Sequence, residues 1–472
     1  MGDLEPATMR LKLLRQGRGN GFRDALGAGH LAAGDVMACV LDDPRWDRQV
    51  EQRDEYYARL LLALAGDDIR ALEERILDDA HEDDAADLWL PIGVLAEMVR
   101  RGHAQACEAI ATAVRRGLRW RACLDALEAA GGETLIGAVV RAHDVEALIA
   151  GIDVDDLVAA VQTVAAPWAA WATRVPALRL VADAKTRHDQ QPTAMSGPVH
   201  WAAARMRETT NPAITPSTTT AELLELAIAP GASRQVERIL QTRTDEATMR
   251  LLRKAATTGA PEQRRVSLFI LGERGCPDFV TEAEQFLRNE SGLSHSERKE
   301  HRTRRAFLRY LEQLPAEITL EHARRWFTQP WPLSLAGEGI LAQHATRDDR
   351  VMLEQAGAAA LTSDDMYRLC SAVEALAVFG AIESLPFLAE VYSEAPYSQA
   401  RRRAATALLP HATHDIARDL ILEALWDCEA ESRELACGAV SSRELHSARR
   451  LAEIADDEFE DPDVRTAAQR AR

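Results

Sequence analysis

His411 and His414 stand three residues apart in "PHATHD", beside Asp415. Two imidazoles and a carboxylate could hold a metal ion. The stretch lies between two apolar-periodic runs, however, where His and Asp act as helix caps, and a cap is the reading we take. "RQGRGNGF" (15–22) is glycine-rich and could offer Arg15 and Arg18 to a phosphate. It lacks the GK[ST] of a P-loop and follows no strand, so a turn between two short helices is expected. The acidic runs "DDAHEDDAAD" (78–87) and "DDEFEDPD" (456–463) lack the alternating ligands and the glycine of a calcium loop. They read as solvated loops and acidic helix caps. Seven cysteines, at 39, 107, 123, 276, 370, 428 and 437, form no C-x-x-C pair. That pattern argues against a zinc ribbon or a disulfide framework and fits buried thiols in a reducing cytoplasm. No nucleophile elbow is present. We therefore expect no catalytic residue, no metal, no cofactor and no enzyme activity.

Two other residue classes could bind rather than catalyse. Arg264, Arg265, Arg304, Arg305, Arg324 and Arg325 could form a basic stripe for nucleic acid, although such a stripe is more often a solvated face. The formal charge of −18 argues against general nucleic-acid affinity, which needs a basic face to displace counterions. Trp168, Trp171 and Trp201 flank an irregular region, and Trp326 and Trp331 bracket "WFTQPWP". Exposed tryptophans near loops would anchor a protein partner; buried ones would be packing.

These residues must be carried by helices. About half of the chain's 472 residues are apolar, alanine is abundant, and alternating β-branched or aromatic runs are nearly absent. The fold expected is all-α. The N-terminus has no apolar signal region, and the most apolar stretch, 157–172, is interrupted by Gln162 and Pro167, so no membrane span is expected.

The C-terminal third reads as helix pairs: 366–380 with 381–392, 398–410 with 414–425, and 431–440 with 442–455. Arg368, Arg402, Arg433 and Arg465 fall at matching points of successive first helices, at intervals of 34, 31 and 32 residues. A period in this range with two helices per unit is the mark of a helical solenoid. The last unit, "DPDVRTAAQRA", has an Asp-Pro turn, then an apolar residue, an arginine and small residues on a helix. It resembles the signature of HEAT repeats, most strongly over 366–472, with further similar units at 264–287 and 304–327. The resemblance implies an α-solenoid of antiparallel helix pairs. It also implies that the aligned arginines form a structural ladder, each bonding an acid or carbonyl of the adjacent unit. Enzymes of this architecture are known, but the repeated His-Glu pairs of its di-iron hydroxylases are missing here, since only His81-Glu82 has that order.

The expected organisation is an N-terminal degenerate array (1–183), an irregular connection rich in Pro, Thr and Gln (184–220), and a C-terminal HEAT-like array (221–472). A half-repeat cap closes the last. The expected function is a non-catalytic cytoplasmic scaffold whose curved surface binds a partner protein. The acidic charge favours a basic partner. Nucleic-acid binding through the arginine stripe, or an anion or nucleotide sensor at the glycine-rich turn, are the alternatives.

Overall fold

A computed structural model describes residues 6–64, 68–78, 86–116, 118–120, 122–123, 125–127, 129–131, 214–229, 232–290, 301–440 and 445–472. The described residues are helical, with no strand among them. They fall into two compact units, one built from 1–199 and 388–472, the other from 200–387. Most of the expected connection, together with Trp168, Trp171 and Trp201, lies outside the described residues.

In the second unit, successive helices begin where the sequence offers caps. Helix α8 (Thr220–Leu226) opens on a Thr219–Glu222 capping box. Helix α9 (Ser233–Gln241) follows. The Asp245 carboxylate accepts from the Thr248 N–H at 2.8 Å at the start of α10 (Glu246–Thr258). Next come α11 (Pro261–Glu273), α12 (Val280–Glu290), α13 (His301–Gln313), α14 (Ala316–Trp326), α15 (Leu333–His344), α16 (Arg350–Thr362) and α17 (Met366–Phe379). Gly380, in the left-handed conformation at φ 53°, ends α17. Helices α11, α13, α15 and α17 pack one against the next, and α10, α12, α14 and α16 each lie against the helix that follows them. The apolar side of each pair is therefore covered by its neighbours.

The first unit joins both ends of the chain. Its N-terminal helices are α1 (Pro6–Gln16), α2 (Gly19–Ala28), α3 (Ala33–Leu41), α4 (Asp54–Leu64), α5 (Arg70–Leu77), α6 (Trp89–Arg100) and α7 (Ala104–Arg115). The run 19–41 has the length and apolar composition to cross a membrane. Here it breaks at Gly29 (φ 60°), and Ala25, Val36, Cys39 and Val40 enter the core. Helix α18 (Leu385–Glu394) leads into α19 (Ser398–Leu408), α20 (Asp415–Glu423), α21 (Ala430–Ala439), α22 (Leu445–Asp456) and α23 (Pro462–Ala471). Helix α23 packs on α21 and α22, burying Val464 and Ala468, the apolar face expected for "DPDVRTAAQRA". Asp461 caps it by accepting from Asp463 N–H at 2.8 Å.

Arg368, Arg433 and Arg465 each donate to backbone carbonyls, and in the 401–403 run it is Arg401 rather than the expected Arg402 that does so. Arg433 is buried and donates to the carbonyls of Asp427 and Cys428 at 3.0 and 2.9 Å. Arg401 is also buried and reaches the equivalent carbonyls, Ala395 and Pro396, at 3.4 and 3.3 Å. Arg402, the expected rung, is half-buried and donates from Nε to Gln399 of its own helix at 2.8 Å. Counted from Arg401, the intervals to Arg433 and Arg465 are both 32 residues. Arg465 donates to Glu458 O at 3.1 Å, and Arg368 to Phe327 O at 2.7 Å.

Removing a buried guanidinium strands its carboxylates, which costs about 3–5 kcal/mol. Arg433→Met, which abandons Glu55 and Glu460, is expected to lose that much in urea unfolding. Arg401→Met is expected to be similarly severe because Asp427 lies 3.7 Å away. Arg402→Met is expected to change stability by no more than about 0.5 kcal/mol. Equal losses at 401 and 402 would contradict the register.

Candidate binding cleft

The glycine-rich turn "RQGRGNGF" has a structural occupant. Gly17 takes φ 70°, and its carbonyl accepts from Cys428 N–H at 3.0 Å. A Cβ on Gly17 would meet Cys428 Sγ at 2.5 Å, and one on Gly19 would meet the Glu423 carbonyl oxygen at 2.0 Å. Only glycine permits this approach. Arg18 forms a two-point pair with Glu423, at 2.8 and 2.7 Å, and Asn20 donates to the same carboxylate from N–H (3.2 Å) and Nδ2 (2.8 Å). The N-terminus of α2 is thus an anion site, as the sequence suggested, but the chain's own Glu423 fills it. Arg15, half exposed, pairs with Asp42 at 2.7 Å.

Beside this turn lies a sealed group of charges. Arg53 Nη2 donates to Glu51 at 2.7 Å, and Glu51 also accepts from Ser398 N–H at 2.9 Å. The Ser398 hydroxyl donates to Glu429. Burial works to raise the Glu51 carboxyl, but the Arg53 charge and the Ser398 hydrogen bond bring it below its ordinary value. Burial dominates at Glu429 and pushes it up to about 7. Two carboxyls driven apart in this way are the pattern of an acid–base pair. Both are only 2% exposed, so no substrate reaches them without parting the helices. Cys428 Sγ sits 3.8 Å from Arg401 Nη2, yet burial pushes its thiol well up, which keeps it a thiol and a poor nucleophile.

The candidate site is an adjoining cleft of about 420 Å³, lined by Phe22, Leu26, Arg59, Leu62, Ala63, Arg101, Trp426, Arg450 and Glu453. Its floor is apolar. Leu26 is 42% exposed, and Leu62 and Trp426 are half-buried. Its walls are guanidinium groups laid on aromatic rings. Arg59 lies over Phe22 at 5.6 Å, Arg450 and Arg23 over Trp426 at 5.3 and 5.1 Å, and Arg101 over Phe459 at 5.2 Å. Such stacking holds the side chains in place and leaves their donor edges available. Glu55 and Glu460 anchor the cluster. Arg59 reaches Glu460 at 3.2 Å, Arg101 reaches Glu55 at 2.9 Å, and Arg433 reaches both. Burial opposes ionisation of Glu460, but Arg433 and Arg59 hold its carboxyl down to about 2.

The residues singled out in the sequence sit elsewhere. Trp326 is buried against His322, with ring centroids 5.1 Å apart, so it is packing. Trp331 is half-buried beneath Arg304, whose guanidinium lies 4.8 Å from its ring centroid. Half of the arginine stripe is paired with carboxylates. Arg265 pairs with Glu237 and Glu262, Arg304 with Glu290, and Arg324 with Asp349. Arg264 donates to Thr257 O, Arg325 lies 2.8 Å from His322 Nδ1, and Arg305 is exposed. None of these lines the cleft. Trp426 and Arg450 do, and no sequence pattern marked them. No family, curated protein or solved structure matches the chain in comparison searches.

The raised carboxyls set a pH dependence. Glu429 and Glu97, both buried, keep their protons up to about 7 when folded, against 4.5 otherwise. At these two groups the folded state therefore binds more protons than the unfolded state between these values, and their contribution to stability falls as pH rises from about 4.5 to 7. Glu429→Gln removes its share. It is expected to add about 1–3 kcal/mol to unfolding free energy at pH 8 and little at pH 4.5. An unchanged pH profile in the variant would refute the assignment. Separately, Gly19→Ala is expected to lower the melting temperature markedly by forcing the turn off Glu423.

Proposed function

We propose that the chain is a non-catalytic, HEAT-like helical-repeat scaffold that binds a partner protein, and that it works in the cytoplasm. The observation that carries this reading is the cleft's composition. Aromatic and leucine side chains left part-exposed beside arginines are the residue classes enriched at protein interfaces and at their energetic centres. Three further features support it. Helices in the second unit pack on the next-but-one helix in series, as stacked repeats do. The 32-residue spacing of Arg401, Arg433 and Arg465 repeats one local device, an arginine returned to the preceding loop's carbonyls. The free cysteines, five of seven buried, suit a reducing compartment. The nucleic-acid alternative draws less support, because three of the six stripe arginines are spent on internal carboxylates. So does the anion sensor, since Glu423 already holds the turn.

The test is affinity capture with the full chain and with Leu26→Asp, a change at an exposed position that leaves the core intact. A protein retained by the native chain and lost by the variant is the expected result. Partners retained equally by both would remove the cleft from the interface, and a substrate turned over by the purified chain would overturn the non-catalytic reading.

A further inference from the structure

The joint between the chain's two ends contains a group of charges in which carboxyls outnumber guanidinium groups. Arg18 is matched by Glu423, and Arg433 by Glu55 and Glu460, which Arg59 and Arg101 share. Glu51, Asp427 and Glu429 remain, against Arg53 and Arg401, and none of these five is more than 2% exposed. Glu51 and Arg53 precede α4, Arg401 stands in α19, and Asp427 and Glu429 lie in the loop before α21. An unmatched charge this deep is unscreened, so one carboxyl has to bind a proton. Glu51 is bonded by Arg53 at 2.7 Å and by Ser398 N–H at 2.9 Å. Asp427 accepts from Glu429 N–H at 3.0 Å and faces Arg401 at 3.7 Å. The Glu429 side chain has the Ser398 hydroxyl, which serves a carboxyl in either protonation state. The proton therefore belongs on Glu429. The remaining groups around it do not compete. Burial keeps Cys428 a thiol, and keeps Tyr56 and Tyr57 of α4 and Tyr392 of α18 as phenols. Arg433, one turn along α21, is engaged with Glu55 and Glu460.

We infer that this joint is a proton-operated latch: one proton on Glu429 keeps the Gly17 turn seated on the loop before α21, and release of that proton loosens the seat. Cys428, between the two carboxyls of that loop, makes the seat by donating from N–H to Gly17 O at 3.0 Å. An ionised Glu429 sets a third negative charge beside Glu51 and Asp427, and their repulsion strains this loop. The cleft shares the seat, because Phe22 belongs to α2 and Trp426 directly precedes Asp427. Burial, with Asp427 and Glu51 adding to it, pushes Glu429 up to about 7, against 4.5 in a joint that has opened to water. A closed-state value above the open-state value makes the latch firmest below 4.5 and steadily looser up to 7. Glu51 is held below its ordinary value by Arg53 and Ser398, so it does not share this transition.

Hydrogen exchange of the full chain at pH 5 and pH 8, corrected for intrinsic rates, tests the latch. Segments 395–401 and 427–433 are expected to open about 50-fold more readily at pH 8. They are expected to exchange faster than α6 and α7 at both pH values, which marks opening of the joint rather than unfolding of the unit. Glu429→Gln is expected to abolish the pH response of these segments and to leave that of the second unit unchanged. Asp427→Asn removes one of the excess charges, keeps the oxygen that accepts from Glu429 N–H, and is expected to cut the response at least about threefold. A loss of protection in Asp427→Asn that is equal at both pH values would assign Asp427 a structural role and overturn the charge argument. A response that survives in Glu429→Gln would overturn the assignment of the proton. Exchange of the two segments no faster than that of α6 and α7 would mean that the joint opens only with the whole unit, and there would be no latch.

Discussion

Arg433 bonded to Glu55 and Glu460 is the interaction on which the first unit turns. Its guanidinium is 3% exposed, and its partners come from α4 and from the turn before α23. Pairing in a dry place returns little net energy, because desolvation cancels most of the attraction. What it does fix is geometry. The same arginine also holds the carbonyls of Asp427 and Cys428, so one side chain ties α4, the loop before α21 and the loop before α23 into a single register. A hydrophobic contact would tolerate a slip of one residue; this set of directed bonds does not. The Glu51–Ser398–Glu429 chain repeats the principle one unit earlier.

The glycine-rich turn belongs to the same joint. A helix N-terminus with free N–H groups attracts an anion, and burying it empty would be costly. Here Glu423 is brought to it by a helix some four hundred residues along the chain, and Gly17 and Gly19 let the backbones touch. Residue types that could have served a phosphate instead join the chain's two ends. Chemistry-like residues and structural ones are the same groups; what differs is whether water and ligand can reach them.

The all-helical class was legible because local signals agree: 3.6-residue periodicity, Asp and Thr caps, and a left-handed glycine at 380. The apolar face of 462–471 was legible for the same reason. Which arginine near 401 turns inward was legible only to within a residue. "RRR" at 401–403 offers three arginines to one place, and local pattern alone could not choose among them. Equal spacing from Arg433 and Arg465 selects Arg401, a signal present in the sequence. The long-range partners were not legible. "EQRDEYY" at 51–57 carries Glu51, Arg53 and Glu55, yet nothing local says that their partners lie near 398, 429 and 460. Trp426 was overlooked for that reason too: its neighbours Arg23 and Arg450 are remote from each other in sequence, and only folding stacks both on one ring.

The cleft follows from the joint, whose paired guanidinium groups and carboxylates form its wall. Holding the two ends together by ion pairs requires carboxylates and guanidinium groups in nearly equal number. Glu55 and Glu460 each accept from several donors at once, and Glu460 is buried. Arginine is different. Its fork is long, and stacking on Phe22, Phe459 and Trp426 lets it leave the joint along an aromatic surface. The Glu55 side chain is 20% exposed beside 16% for Arg59 and 11% for Arg101, so both signs of charge reach the cleft wall. The potential at the cleft is thus set by these local pairs rather than by the overall charge, since screening confines the surface potential to about a Debye length.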